Sequence, residues 1–281
     1  MSGLVGRVGS SVGSGVVSAS RGVRAGAMGL VMVVGVVAFT WPFLVTPGSE
    51  LSQLGHSGDA SLLFVLLMAL LGLVLLAEMS SGTLDAKGVA VLGVLAAAGG
   101  ALRVLSAGTA GLEPMFFLLV VAGRALGASK GFLLGTLALL ASAFLTAGIG
   151  PWTPFQMLCC GWVAMGAGLL PRSSGWTERL VLAAYGLVSA MVYGAVMNLW
   201  FWPFMGGTAP DGAGFVPDAG AVANLHSYAV FYVLTSLAWD LPRGVLTAAL
   251  VLVAAGPMLR ALRRSLRQAR FDAPVRFATP S

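Results

Sequence analysis

The stretch LEPMFFLLVVAGRALGASKGFLLGTLALLASAFLTAGIGPWTPFQMLCCGWVAMGAGLLP, Leu112–Pro171, decides the fold. It holds three apolar runs separated by two short breaks. The first break, Gly123–Lys130, carries Arg124 and Lys130. The second, Ala147–Pro154, is uncharged and gathers Gly148, Gly150, Pro151, Trp152 and Pro154. A chain that crosses a bilayer, turns at Gly-Pro-Trp and re-enters it reads this way. The remaining sequence reads as helices arranged around that hairpin.

Composition agrees. Of 281 residues, 58% are hydrophobic and 9% charged, against about 25% charged in a soluble domain; mean hydropathy is +0.92. The expectation is an all-α integral membrane protein. The net charge of +6 does not point to nucleic acid. Its basic residues sit at the ends of apolar runs, with no aromatic interleaving and no reading motif. Cys159 and Cys160 are the only cysteines. Adjacent in an apolar run, they fit packing rather than a disulfide framework or a zinc site.

Spans need about 20 apolar residues. Eight candidates follow: Ala27–Val45, Ser61–Glu78, Val89–Ser106, Pro114–Leu126, Gly131–Ala147, Thr153–Leu170, Leu180–Leu199 and Arg243–Leu262. Pro114–Leu126 is short and must tilt little or borrow from its flanks. Residues 1–26, glycine-rich with Arg7, Arg21 and Arg24, read as a flexible cytoplasmic tail rather than a helix, and 268–281 as a second tail. Ala229–Trp239 is too short to span; it reads as a re-entrant or surface helix, or as the start of a Pro242-kinked last helix. With the amino terminus inside and spans alternating, every Arg and Lys except Arg103 and Arg243 falls inside. This obeys the positive-inside rule and puts both termini in the cytoplasm. Trp202–Tyr228 becomes the longest outer loop, long enough for a lid.

Glu113-Pro114, the glycine-rich helix that follows, GPWTPFQM and GWVAMGAGLLP together resemble the substrate-binding (S) component of energy-coupling factor (ECF) vitamin transporters. The likeness is greatest to a bacterial branch marked by Gly-Pro-Trp-x-Pro-x-Gln-Met. It covers roughly residues 86–267. The resemblance implies a six-helix substrate-binding core there, with residues 27–85 as two additional transmembrane helices. It also implies a bacterial cell membrane location, a transmembrane coupling subunit and two cytoplasmic ATPase subunits as partners, and a vitamin-like ligand. A corrinoid is the first candidate for that ligand, then riboflavin or another flat vitamin. In the family, small residues on the first core helix meet the coupling subunit; Gly93, Ala97 and Ala101 match that pattern. Packing within this chain is the other reading of the same stripe.

The candidate ligand contacts cluster at the outer ends of the spans. Thr153-Pro154-Phe155-Gln156 reads as a capping box with proline at the first helical position; Trp152 and Gln156 are also placed to touch substrate. Tyr193, Asn198 and Trp202 close the seventh span. Tryptophan there fits an aromatic belt, whereas an amide at membrane depth needs a partner. Arg103, Glu113, Asp240 and Arg243 are the ionisable residues nearest the outer surface. They either contact ligand or pair, Arg103 with Glu113 or Asp240, and Asp240 also fits a cap for the last helix. Gly123, Gly127, Gly131 and Gly135 read as tight turning and close packing. His56 and His226 read as surface residues, with His226 a minor lid candidate.

No P-loop is present, so ATP hydrolysis would come from partners. No clustered acids, Gly-x-Ser-x-Gly or His-Glu-x-x-His supports an intramembrane enzyme, and no cofactor or metal is expected. A self-sufficient secondary transporter is the alternative; inverted repeats and broken helices would mark one.

Overall fold

In chain order the helices are α1 (Val5–Thr40), α2 (Glu50–Ser80), α3 (Ala86–Leu105), α4 (Met115–Leu126), α5 (Ala128–Leu145), α6 (Thr153–Leu169), α7 (Gly175–Asn198), α8 (Gly220–Thr235) and α9 (Leu237–Gln268), with a 3-10 turn at Trp202–Phe204. This computed structural model describes the backbone of residues 5–40, 43, 50–80, 84–106, 109–205, 208–216 and 219–268. Side chains are described over the same ranges except 5–21, 24, 50–60 and 267–268. No strand occurs among the described residues. Five helices are long and apolar enough to cross a bilayer: Ser61–Ser80, Ala86–Leu105, Ala128–Leu145, Gly175–Phe204 and Leu237–Leu266. Ala25–Thr40 and Met115–Leu126 are shorter apolar helices. The chain is a multi-pass, all-helical membrane protein.

The centre of the bundle is its shortest apolar helix. α4 packs against α3, α5, α6, α7 and α9, and Met115, Phe116 and Leu118–Gly123 are all buried. Twelve residues reach only about 18 Å at 1.5 Å per residue, while α9 runs about 48 Å by the same rule. Beyond the amino-terminal end of α4, next to Glu113, polar side chains of its neighbours border a cavity.

Glycine lets α4, α5 and α6 pack backbone to backbone, as small residues do in membrane bundles. A Cβ at Gly131 would lie 2.7 Å from the Ala164 carbonyl oxygen. One at Gly123 would meet the same carbonyl, and one at Gly135 that of Cys160. Gly127, at φ +83, makes the α4–α5 turn in the left-handed region. The evenly spaced glycines are therefore turn and contact positions, and both cysteines are buried and unbonded. On α3, Leu92, Ala96, Gly99 and Gly100 are buried, with Gly99 against Ala138 and Gly100 against Ser142 of α5. Gly93, Ala97 and Ala101 lie on the opposite, exposed face, so packing within the described chain does not account for them.

α1 and α2 pack on each other and reach the rest through α6 and α5. Gly35 seats the Trp162 ring, and Phe39 meets Phe155 edge-on at 5.1 Å. Residues 5–26, read from sequence as a tail, continue α1: the helix begins at Val5. Local glycine content argued against a helix there, and the apolar half of α1 propagates through it. The last third of the stretch read as a lid is helix, since α8 starts at Gly220. Ala229–Thr235 ends α8, Ser236 breaks it, and Leu237–Trp239 starts α9.

Contacts order the ends of the helices. The last turns of α3 and α7 meet the first turns of α4, α6 and α9 at one end, the cleft end. The last turns of α4 and α9 meet the first turn of α7 at the other, the arginine-rich end. There Glu178, 3% exposed, accepts from Arg124 Nε at 2.7 Å and from Arg263 Nη1 and Nη2 at 3.0 and 2.6 Å. Arg124 also donates to the carbonyls of Leu170 and Pro171. One carboxylate thus pins α4, α7 and α9, and Arg124 holds the end of α6.

Candidate functional site

The break at Ser236 builds the site. Its carbonyl accepts from the Trp239 and Asp240 amides, both at 2.9 Å, so α9 starts four residues before Asp240 could cap it. Asp240 lies inside the first turn of α9, not at its cap. Pro242 and Arg243 follow within the same helix. This register turns Asp240 and Arg243 towards α4 and α7. Ser236 also exchanges hydrogen bonds with Asn198: Nδ2 donates to Ser236 Oγ at 2.7 Å, and Oγ donates to Oδ1 at 3.0 Å. The buried amide has the partner that membrane depth demands.

Arg243 is the hub of the charges. Nη1 pairs with Asp240 Oδ1, and Nη2 with Glu113 Oε1 at 3.3 Å. The guanidinium stands 5.2 Å from the Phe116 ring centre and 5.1 Å from that of Tyr193, where ring quadrupoles favour a cation. Asp240 rests on Gly194, where any Cβ would overlap its carboxylate. Its Oδ2, like Arg243 Nε, is buried without a hydrogen bond of ordinary geometry. Burial, with the Asp240 charge near it, pushes the Tyr232 hydroxyl of α8 up to about 12, so that neighbour stays a neutral phenol.

The pairing of Arg103 with Glu113 or Asp240, one of the two readings of these charges, is not made. Arg103 Nη1 donates instead to Ser142 Oγ on α5 at 2.9 Å, and Arg103 has no ion pair among the described residues. Asp240 lies one turn before Arg243 on α9 and Glu113 reaches Arg243 Nη2, so Arg243 takes both carboxylates.

These side chains line a cleft with two lobes. The inner, about 210 Å³, is bounded by Gln156, Tyr193, Asn198, Ser236, Asp240 and Arg243. The outer, about 340 Å³, is bounded by Ser106, Thr109, Thr146, Gly148 and Trp152. Arg103, Glu113 and Trp239 line both. Gly111, at φ +83, brings the α3–α4 loop onto the Trp239 carbonyl, where a Cβ would clash.

Of the nine residues singled out as ligand contacts, the structure brings eight to this cleft: Arg103, Glu113, Trp152, Gln156, Tyr193, Asn198, Asp240 and Arg243. Trp202 is elsewhere. It is 2% exposed in a small aromatic cluster with Phe43, Phe215 and Tyr228, and its Nε1 donates to the Ala213 carbonyl at 2.7 Å. The capping box is also replaced. α6 has no side-chain cap; Thr153 Oγ1 accepts from the Gly150 amide at 2.9 Å, closing the Gly-Pro-Trp turn, and Gln156 is left to face the cleft. Ser236 and Trp239 were missed from sequence. A serine before a Trp-Asp pair at a helix break was the available signal. His226 is exposed on α8; the His56 side chain lies outside the described residues.

No family model, curated protein or solved structure matches the chain.

Proposed function

We propose that the chain is the substrate-capturing membrane component of an ECF-type importer, taking a vitamin or related small molecule from outside the cell. A coupling subunit and two ATPases would deliver it. One observation carries this reading: a polar, charged cleft at one end of an otherwise apolar bundle, roofed by loops and closed below by the tightly packed α4–α6. Ionisable residues at membrane depth face cavities or partners and mark ligand pathways. The arrangement of arginines supports a cleft end facing outwards and an arginine-rich end in the cytoplasm, with eight spans and both termini inside. The exposed Gly93, Ala97 and Ala101 leave a small-residue face open to a coupling subunit.

The Asp240–Arg243–Glu113 cluster also suits a second reading, a secondary transporter moving ions with its solute. Reconstitution separates them. Purified protein should be stabilised by its ligand, with cobalamin and riboflavin first in the panel, and Asn198→Ala or Gln156→Ala should weaken that. Vesicles holding this chain alone should bind ligand without accumulating it. Accumulation driven by an ion gradient, with no ATPase present, would replace the importer by the secondary transporter.

A further inference from the structure

The charges of the cleft are divided unevenly, and the division specifies a ligand. Arg243 is shared between Glu113 and Asp240, so one guanidinium serves two carboxyl groups. Arg103, which lines both lobes, carries one positive charge, and among the described residues its hydrogen-bond partner is a neutral hydroxyl. Glu113 is the accessible member of the acidic group, its side chain 23% exposed against 4% for Asp240. The cleft therefore presents a cation and a carboxylate that are not paired with each other, both lining both lobes. An Arg guanidinium in such a position binds carboxylate or phosphate oxygens with two parallel hydrogen bonds. A half-paired carboxylate accepts from an ammonium.

We infer that the ligand is a small zwitterion, an amino acid or close relative, whose carboxylate docks on Arg103 and whose ammonium docks on Glu113. The inference rests on the proposed capture role and names its substrate class. Size agrees. The inner lobe, about 210 Å³, lies below the roughly 300–1,000 Å³ of pockets for drug-sized ligands. The remaining inner surface supplies the Gln156 and Asn198 amides. The indole of Trp239, 49% exposed, stands at the junction of the lobes as an apolar cover for a side chain.

The test is a thermal-stability screen of the purified full chain in detergent. Probes are the twenty standard amino acids, β-alanine and γ-aminobutyrate, each with its methyl ester and N-acetyl derivative, and a vitamin panel run beside them. At least one free zwitterion should raise the melting temperature, while its ester and its N-acetyl form, each lacking one charge, should bind at least tenfold more weakly. Arg103→Gln should abolish the preference for the zwitterion over its ester. Glu113→Gln should abolish the preference over the N-acetyl form. If Glu113→Gln fails to fold, Arg103→Gln alone decides, because Arg103 anchors no helix through an ion pair. Stabilisation by a vitamin but by no zwitterion would overturn this substrate class and leave the capture role standing. Ester and zwitterion binding equally would also overturn it. Silence from both panels in a folded sample would remove the capture role with it.

Discussion

Glu178 should be the most damaging single polar residue to remove at the arginine-rich end. Both its oxygens are used: Oε1 by Arg124 and Arg263, Oε2 by Arg263. Glu178→Ala leaves the Arg124 guanidinium, 8% exposed, without a counter-charge. Losing one partner of a buried pair costs roughly 3–5 kcal/mol. Arg124 keeps its bonds to the Leu170 and Pro171 carbonyls, which puts the expected loss near the lower figure, about 3 kcal/mol. Chains of this size lose roughly 2–4 °C per kcal/mol, so the melting temperature should fall by about 6–12 °C. Arg263→Ala should do far less. Its side chain is 42% exposed, and a solvent-screened pair contributes about 1 kcal/mol or less, or about 2–4 °C. Thermal unfolding of the three proteins in one detergent, followed by tryptophan fluorescence, measures both. A loss under 2 °C for Glu178→Ala, or a larger loss for Arg263→Ala, would refute the claim that this carboxylate pins three helices.

Two further substitutions separate the cleft from its surroundings. Gly194→Val places branched carbon where the Asp240 carboxylate lies; it should cost about 1–3 kcal/mol through overpacking and abolish ligand-induced stabilisation while circular dichroism stays helical. Trp202→Phe removes the Nε1 donor and leaves the buried Ala213 carbonyl unpaired, costing about 1–3 kcal/mol. Ligand affinity, read by titration, should stay within about twofold, because Trp202 lines neither lobe of the cleft.

Much of this was legible in one dimension because a bilayer constrains so strongly. The expected alternation of spans put Arg103, Glu113, Gln156, Asn198 and Asp240 at one end, and all five line the same cavity. Their meeting in a cleft follows from connectivity. Pairing did not follow. Arg103 and Arg243 look equivalent as outer arginines; Asp240 meets Arg243 one turn along α9, and the approach of α9 to α4 adds Glu113. Thr153 resembled a cap because Thr-x-x-Gln is the capping signature. The Gly-Pro-Trp turn offered its hydroxyl a nearer donor at Gly150. Trp202 looked like its neighbours because its partner, Ala213, lies eleven residues away in a loop with no periodicity. Arg124 and Arg263 were counted only as topology signals and Glu178 was not singled out; a hydropathy pattern does not say which charges converge.

The two ends of the bundle differ in how completely their charges are satisfied, and that difference says where the molecule can change. At the arginine-rich end every oxygen of Glu178 is engaged and three helices converge on it. Through the middle, α4, α5 and α6 meet at backbone distance, and such packing resists small displacement because interiors shift between discrete arrangements rather than deform. At the cleft end Asp240 Oδ2 and Arg243 Nε are buried without hydrogen bonds of ordinary geometry, a cost the free protein carries. A ligand that recruits Glu113 alters the sharing of Arg243 and lets that guanidinium turn towards Asp240. In the proposed capture role, rearrangement on binding would fall at the Thr109–Glu113 loop, Trp239 and the Ser236 break, while the arginine-rich end, pinned through Glu178, would hold its shape.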